Sequence, residues 1–297
     1  MELLQHFVGD LEWLATKDFD HLSVTPLLWN KAPLDTKNYL SLDQALAKGF
    51  AEVEEVSQSG TVGRVLVKNF SDQYLVMFDG DGLKGAKQNR ILEQTIIAAP
   101  GSVTEVPVNC VERGRWNYNS EKFSGADFKA TPMVKQAKAS LKKEGRDRSV
   151  QSSVWQNVSM CSRDLGVSSH SDDLGDIIER SGISANDVVR WLEDVEAHGY
   201  LIQGAGAPFF EVFPDKGMAK TWAEKSAIGW LADSRRARAR QRPVEELMQR
   251  LKTSTWRQAR HVGDETAYQS SDWNDGRLTF HDRQMMHLYC SIADRRS

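Results

Sequence analysis

The hydrophobic period of this chain changes once, at Thr131-Pro132, and that change constrains the fold more than any single motif. From Phe19 to about Phe128 the apolar residues come in short runs: HLSVTPLLW, FAEVEEV, GRVLVKNF, QYLVMFDGD, RILEQTIIAA and SVTEVPVNCVE. Turn formers such as Ser59-Gly60, Asn69, Asp79-Gly80 and Pro100-Gly101 cut them apart. Short runs without intervening helices predict antiparallel strands in a β-sandwich-like domain. LSLDQALAKGF adds a helical turn or two, with Ser41 as cap and Leu42, Ala45 and Leu46 facing inward. After Pro132 the period lengthens, and residues 133–144, 149–164, 184–197, 217–233 and 243–252 read as helices, with Ser149 and Ser184 or Asn186 as candidate caps. GYLIQGAGAPFFEVFP reads as a hairpin, and so does the tail around Asn274-Asp275-Gly276, with a third strand over Gln284 to Ile292. At the start, Leu3, Leu4, Phe7, Val8, Leu11 and Leu14 fall at helical spacing. The expected class is α+β. An N-terminal helix (1–17) precedes a β-sandwich-like domain (18–130), and a mixed helix and β-hairpin domain (131–297) carries a basic helical stretch.

Composition matters chiefly for what it excludes. With 297 residues, 40% hydrophobic and 27% charged, the chain is of ordinary globular type. It has no apolar run of about 18 residues and no cationic start, so neither a membrane span nor a signal peptide is expected, and the expected compartment is the cytoplasm. Cys110, Cys161 and Cys290 form no CxxC pair and read as reduced, packed thiols. The net charge of −3 conceals a gradient. Residues 1–60 carry 10 acidic and 4 basic side chains, and residues 217–260 carry 11 basic and 4 acidic ones. One basic face can therefore attract phosphate or an acidic partner despite the average.

Two segments carry most of the chemistry. In FDGDGLKGAKQNR (78–90) a strand turns through Asp79-Gly80-Asp81-Gly82 and then presents Lys87, Gln88, Asn89 and Arg90 in a row. Glycines admit backbone amides to a ligand, and these four side chains are rich in donors, a set suited to phosphate or carboxylate. The Walker pattern is absent, and GDGLKG (80–85), although it has the G-x-G-x-x-G spacing, leads into the strand-like ILEQTII and opens no helix, so it is not a dinucleotide-binding fingerprint. In VPVNCVERGRWNYNS (106–120) Cys110, Glu112, Arg113, Arg115 and Trp116 lie within seven residues. Arginine forks onto phosphate and tryptophan stacks on a base. Cys110 has no histidine nearby in its segment to activate it, so it reads as a structural thiol. Glu112 is expected either as a general base or in a salt bridge with Arg115 or Arg90.

Other features carry less. Asp79 and Asp81 are the pair with hard-cation chemistry, yet DGDG turns are common in loops that bind nothing, so no cofactor or metal is expected. Arg235, Arg236, Arg238, Arg240 and Arg242 resemble a phosphate strip without aromatic interleaving, which does not support sequence-specific nucleic-acid binding. Of the scattered histidines only His281 and His287 are near each other, either on one strand face or across a turn at HDRQ.

The segments DGDGLKGAKQNR and VPVNCVERGRW, preceded by YLSLDQALAKGFAEVEEVSQSGTVGRVLVKN, resemble the ARG and rhodanese-phosphatase superfamily associated protein domain. The matching positions are Asp79, Gly80, Leu83, Gly85, Ala86, Lys87, Gln88, Asn89 and Arg90, then Pro107, Cys110, Val111, Glu112, Gly114, Arg115 and Trp116. Asp81 stands where the pattern has Glu, and the N-terminal helix and residues 235–242 depart from it. The resemblance implies no particular reaction. Its name implies only association with ADP-ribosylglycohydrolase-like and phosphatase-like proteins.

Two functional expectations follow. In the first, residues 79–90 and 110–116 form one polar site that binds or hydrolyses a phosphate-bearing nucleotide derivative related to ADP-ribose or NAD. Lys87 and Arg90 would then hold phosphate, Gln88 and Asn89 would orient sugar or base, and Trp116 would stack beside Arg115. Glu112 or Asp81 would act as the catalytic carboxylate. In the second, the same residues are an internal network in a non-catalytic interaction module, whose basic face meets an acidic partner or a nucleic-acid backbone. The first requires both segments to converge on one site.

Overall fold

The computed structural model describes residues 9–30, 36–143, 150–236 and 241–292. It has the expected α+β class, and the chain forms two compact units. The described residues of 1–34, 184–260 and 266–297 make one, and those of 35–183 together with 261–265 make the other. These units divide the chain differently from a cut after residue 130, because the first is assembled from three separate stretches of sequence.

In chain order the elements begin with β1 (Leu11–Trp13), β2 (Lys17–Phe19), β3 (Leu22–Trp29), β4 (Tyr39–Ser41), α1 (Leu42–Ala47), β5 (Ala51–Glu55), β6 (Arg64–Asn69) and β7 (Tyr74–Met77). Then come β8 (Asp81–Gly85), β9 (Arg90–Leu92), β10 (Ile96–Ala98), β11 (Val103–Cys110), β12 (Phe123–Lys129), α2 (Pro132–Lys143), α3 (Val150–Leu165) and α4 (Leu174–Arg180). The rest are α5 (Asn186–Glu193), β13 (Gly199–Gly204), β14 (Gly206–Val212), α6 (Lys216–Arg236), α7 (Val244–Thr253), β15 (Arg257–Gln258), β16 (Thr266–Ser270), β17 (Asp275–His281) and β18 (Gln284–Ser291). The helix read over residues 1–17 does not extend that far: of the described residues Gly9 is helical, but Leu11–Trp13 and Lys17–Phe19 are strands that both pair with β3. Residues 1–8, and the Ser149 cap, lie outside the described residues.

The second unit holds the two donor-rich segments. Its strands close into a barrel, in the order β11-β6-β5-β12-β8-β9, where a sandwich was expected. Strand length explains the closure. The eight residues of β11 pair with β6 over Val103–Pro107 and with β9 over Val108–Cys110. In the same way β12 pairs with both β5 and β8, so the row of strands has no end within the barrel. Alternation fills the interior: Val53, Val65, Val67, Leu83, Leu92, Val106 and Val108 are fully buried. Gly82 lets β8 approach β12, since a Cβ there would lie 2.5 Å from the Phe128 carbonyl oxygen. A smaller sheet, β10-β7-β4, packs into the same core through Leu40, Leu75, Met77 and Ile96. At α1 the expected cap is present as a full capping box, Ser41 with Gln44.

The first unit is a nine-stranded antiparallel sheet. Leu201, Phe210, Leu278, Leu288 and Cys290 on one face pack with Leu247 and Leu251 of α7. On the other face Tyr200 and Phe213 meet Trp230 and Trp222 of α6. His281 and His287 sit on β17 and β18 across a turn at Asp282-Arg283, and both are buried.

Candidate functional site

The two segments converge at one end of the barrel, as a single site requires. Residues 86–89 form the turn from β8 to β9, and residues 111–116 follow β11 directly. Pairing of Cys110 with Arg90 brings them together, and the Asn89 carbonyl accepts from the Val111 amide. A third stretch, Ser169 to Leu174, docks on the same end: the Ser171 carbonyl accepts from the Arg113 and Gly114 amides, and Leu174 N–H donates to Val111. Gly114 permits this approach, because a Cβ would lie 2.9 Å from Ser171 Cα.

At the centre is Glu112. Arg115 forks onto it, Nε to Oε1 at 2.8 Å and Nη2 to Oε2 at 2.6 Å, while Asn89 N–H and the Ser171 hydroxyl also donate to it. Burial raises the cost of its charge, but Arg115, the Asn89 amide and Ser171 together hold its carboxyl below the usual range. Arg115 further donates from Nη1 to the carbonyls of Ala86 (2.6 Å) and Asn117 (2.9 Å). Ala86 has φ +42 and follows Gly85 at φ +117, so these bonds hold a left-handed turn that an alanine adopts reluctantly.

The other candidate ligands are engaged in the same way. Arg90 is fully buried; it donates to the Val62 carbonyl, touches Cys110 Sγ and lies 3.4 Å from Glu55. Burial, opposed by Arg90, pushes the Cys110 thiol up to about 11, so it is protonated at neutral pH. Lys87 Nζ donates to the Ser59 carbonyl at 2.8 Å and lies over the rings of Trp116 and Tyr118, 5.6 and 5.0 Å from their centroids. Arg90 also lies behind Trp116, which is 39% exposed. Asn89 Nδ2 donates to Asp173, and Gln88 Nε2 donates to the Arg113 carbonyl while its Oε1 is buried with no hydrogen-bond partner among the described residues.

Asp79 and Asp81 lie elsewhere, facing lysines. Lys138 Nζ is 2.8 Å from Asp79 Oδ1, and Lys129 Nζ bridges Asp81 (2.6 Å) and Asp43 (2.7 Å). Lys135, on the same side of α2 as Lys138, donates to the Asp79 carbonyl. Burial opposes the charge on Lys129, yet Asp81 and Asp43 hold its pKa above the ordinary lysine range. The two carboxylates thus face ammonium groups, and among the described residues no cluster of three or more His, Cys, Asp or Glu is placed to hold a metal. Sequence reading missed Glu55, Lys129, Lys135, Lys138, Ser171 and Asp173. Only Glu55 left a signal, since alternation along AEVEE puts it on the inward side with Ala51 and Val53.

The basic strip is partly spent within the first unit. Arg236 pairs with Asp233 in the interior and Arg242 with Glu246, Arg235 is exposed, and Arg238 and Arg240 lie outside the described residues. Among the described residues no helix is long and apolar enough to cross a membrane.

No curated protein and no solved structure matches this sequence. One family does, over residues 10–291, nearly the whole chain and both polar segments, and the chain therefore belongs to the ARG and Rhodanese-Phosphatase-superfamily-associated Protein domain family.

Proposed function

We propose that this chain is a non-catalytic interaction module, in which residues 85–90 and 110–116 lock one end of the barrel from within, while Asp79 and Asp81 are held separately by lysines. The observation that carries this reading is the Arg115 guanidinium, which clasps both oxygens of Glu112 and the carbonyl of the strained Ala86 turn. A general base needs a free lone pair and access to a proton. Glu112 is 4% exposed and accepts four hydrogen bonds or more, so its environment suits a fixed anion better than a base. A double-mutant cycle tests this. Glu112→Gln and Arg115→Met are each expected to cost about 2 to 4 kcal/mol of unfolding free energy, and the double variant clearly less than their sum. Additive, small costs would remove the lock.

One observation favours a second reading, a site for a phosphate-bearing nucleotide derivative such as ADP-ribose. Trp116 and Tyr118 are half exposed and frame the Lys87 ammonium, an arrangement that stacks a base beside a cation. Thermal shift with ADP-ribose, NAD and mononucleotides separates the two. Stabilisation that disappears in Trp116→Ala, with the unliganded variant still folded, establishes the nucleotide site. No ligand-dependent shift leaves the interaction module as the better account.

A further inference from the structure

The polar network turns inward, and the second unit presents a different surface built for a partner. Strand β11 pairs with β6 along Val103–Pro107, but on its other side β9 begins to pair only at Val108. Backbone parity fixes where the remaining groups point. Ser102 accepts from Asn69, and Val108 donates to Gly63, so even-numbered residues of β11 face β6. Pro107 accepts from Glu93 on the opposite side, so odd-numbered residues face away from β6. Beyond that rung, Val103 and Glu105 direct their N–H and C=O groups at no strand among the described residues. This is an open β edge, two residues long in hydrogen-bonding positions and closed at its end by Pro107.

The edge borders a groove of about 360 Å³, lined by Ile97–Ala99, Ser102–Glu105 and Val262–Asp264. Its far wall is rigid. Asp264 N–H donates to the Ile97 carbonyl, and the Glu265 carboxylate accepts from the amides of Ile97, Val262 and Gly263. Gly263 presses on Ile97 so closely that a Cβ would lie 2.1 Å from its carbonyl oxygen. Val103 (63% exposed) and Val262 (42%) offer apolar contact on the two sides. The carboxylates of Glu105, Asp264 and Glu265 gather at the groove. Glu105 and Asp264 are exposed, and Glu265, 1% exposed, is held by backbone amides, with no cation at it among the described residues. The basic side chains beside it are already paired: Arg64 with Glu105 at 2.9 Å, and Lys68, which faces Val103 across the ladder, with Glu54 at 2.7 Å.

We propose that this groove takes an extended, cationic peptide segment of a partner protein, which adds a strand to the open edge of β11. Backbone bonds to Val103 and Glu105 supply the pairing, the two valines seat an apolar side chain, and the carboxylates select lysine or arginine at alternate positions. A second copy of this chain fits poorly, because edge-to-edge pairing would bring Glu105 of both copies to the same ribbon without new cations. The site is independent of the Trp116 surface, so its failure and that of the nucleotide reading are distinguishable.

The test uses the full chain and two acetylated eight-residue peptides, one alternating valine with lysine and one alternating valine with glutamate, followed by fluorescence anisotropy. The lysine peptide is expected to bind at least about tenfold more tightly, with affinity falling as salt rises. Val103→Pro removes an outward N–H without touching the β6 ladder and is expected to abolish binding at unchanged Tm. If Val103→Pro itself unfolds the barrel, Glu105→Gln with Asp264→Asn replaces it and is expected to erase the preference for lysine. Absence of binding by the lysine peptide, equal binding of both peptides, or undiminished binding to folded Val103→Pro overturns the proposal.

Discussion

Glu112 and Asp173 share one partner, Asn89, which gives its backbone N–H to the first and its side-chain amide to the second. Their titrations nevertheless diverge, because only Glu112 has an arginine. Burial and then the charge on Glu112 push the Asp173 carboxyl up to about 6 from 3.8. The sign for stability follows from proton binding. Between about pH 4 and pH 6 the folded chain keeps a proton on Asp173 that the unfolded chain has lost, so this group's contribution falls as pH rises through that window and is absent above it. Two pKa units correspond to about 3 kcal/mol at most. Glu112 acts oppositely: its stabilisation is present above the usual carboxylate pKa and is lost as pH falls. Asp173→Asn keeps an oxygen to cap α4 at Gly175 N–H and removes the charge, but its amide nitrogen cannot accept the hydrogen bond from Asn89 Nδ2. That loss is the same at both pH values, so the variant's stability relative to wild type is expected to be about 1 to 3 kcal/mol more favourable at pH 7.5 than at pH 4.5. Urea unfolding at the two pH values measures it, and an equal difference at both would show that Asp173 does not titrate in this range.

Among the elements, β8 and α2 show what was legible in the sequence and what was not. The period of two gave most strands of residues 19–128, and the DGDG and GAKQNR segments stood out by composition. Barrel closure did not, because it depends on β11 and β12 each serving two neighbours, a property of register that no local pattern encodes. The buried lysines were equally hidden. In MVKQAKAS, Lys135 and Lys138 look like a solvated helix face, and only the placement of the Asp79 turn beneath α2 makes them interior. Asp173 lies about 60 residues beyond Glu112 in sequence and is joined to it by a single β-bridge. Gly82 offers a direct test of the closure. A methyl group there meets the Phe128 carbonyl at 2.5 Å and Ala126 Cβ at 2.8 Å, so β8 and β12 must separate. Gly82→Ala is expected to cost about 2 to 4 kcal/mol, whereas Gly63→Ala, with nothing within 4 Å of its Cβ, is expected to be near neutral. Similar costs in chemical denaturation would mean that the β8–β12 approach does not limit the barrel.

At the scale of the whole molecule, the order in which the chain comes together follows from its connectivity. All of the second unit but residues 261–265 lies between β3 and α5 in sequence, yet β3 pairs with β13 through Leu27↔Gly199, Thr25↔Leu201 and Val24↔Ile202. Joining these strands closes a loop that contains nearly all of the second unit. Loop-closure entropy grows only logarithmically, by about 0.6 kcal/mol per doubling of length, but non-local pairs must pay it before any contact rewards them. The barrel's ladders are far more local: β5 pairs with β6, β8 with β9 and β9 with β11. In the first unit, β13–β14 and β16–β17–β18 are hairpins that form without β3. A folded insert also shortens the effective loop, which favours barrel closure before β3 docks. Pulse-labelling hydrogen exchange during refolding reads this order directly. Amides of Val65, Val67 and Val106 are expected to gain protection before those of Leu22, Val24 and Leu27, with β13 protected on its β14 side before its β3 side. Protection of β3 together with or ahead of β6 would show instead that the nine-stranded sheet forms around an open, unstructured insert.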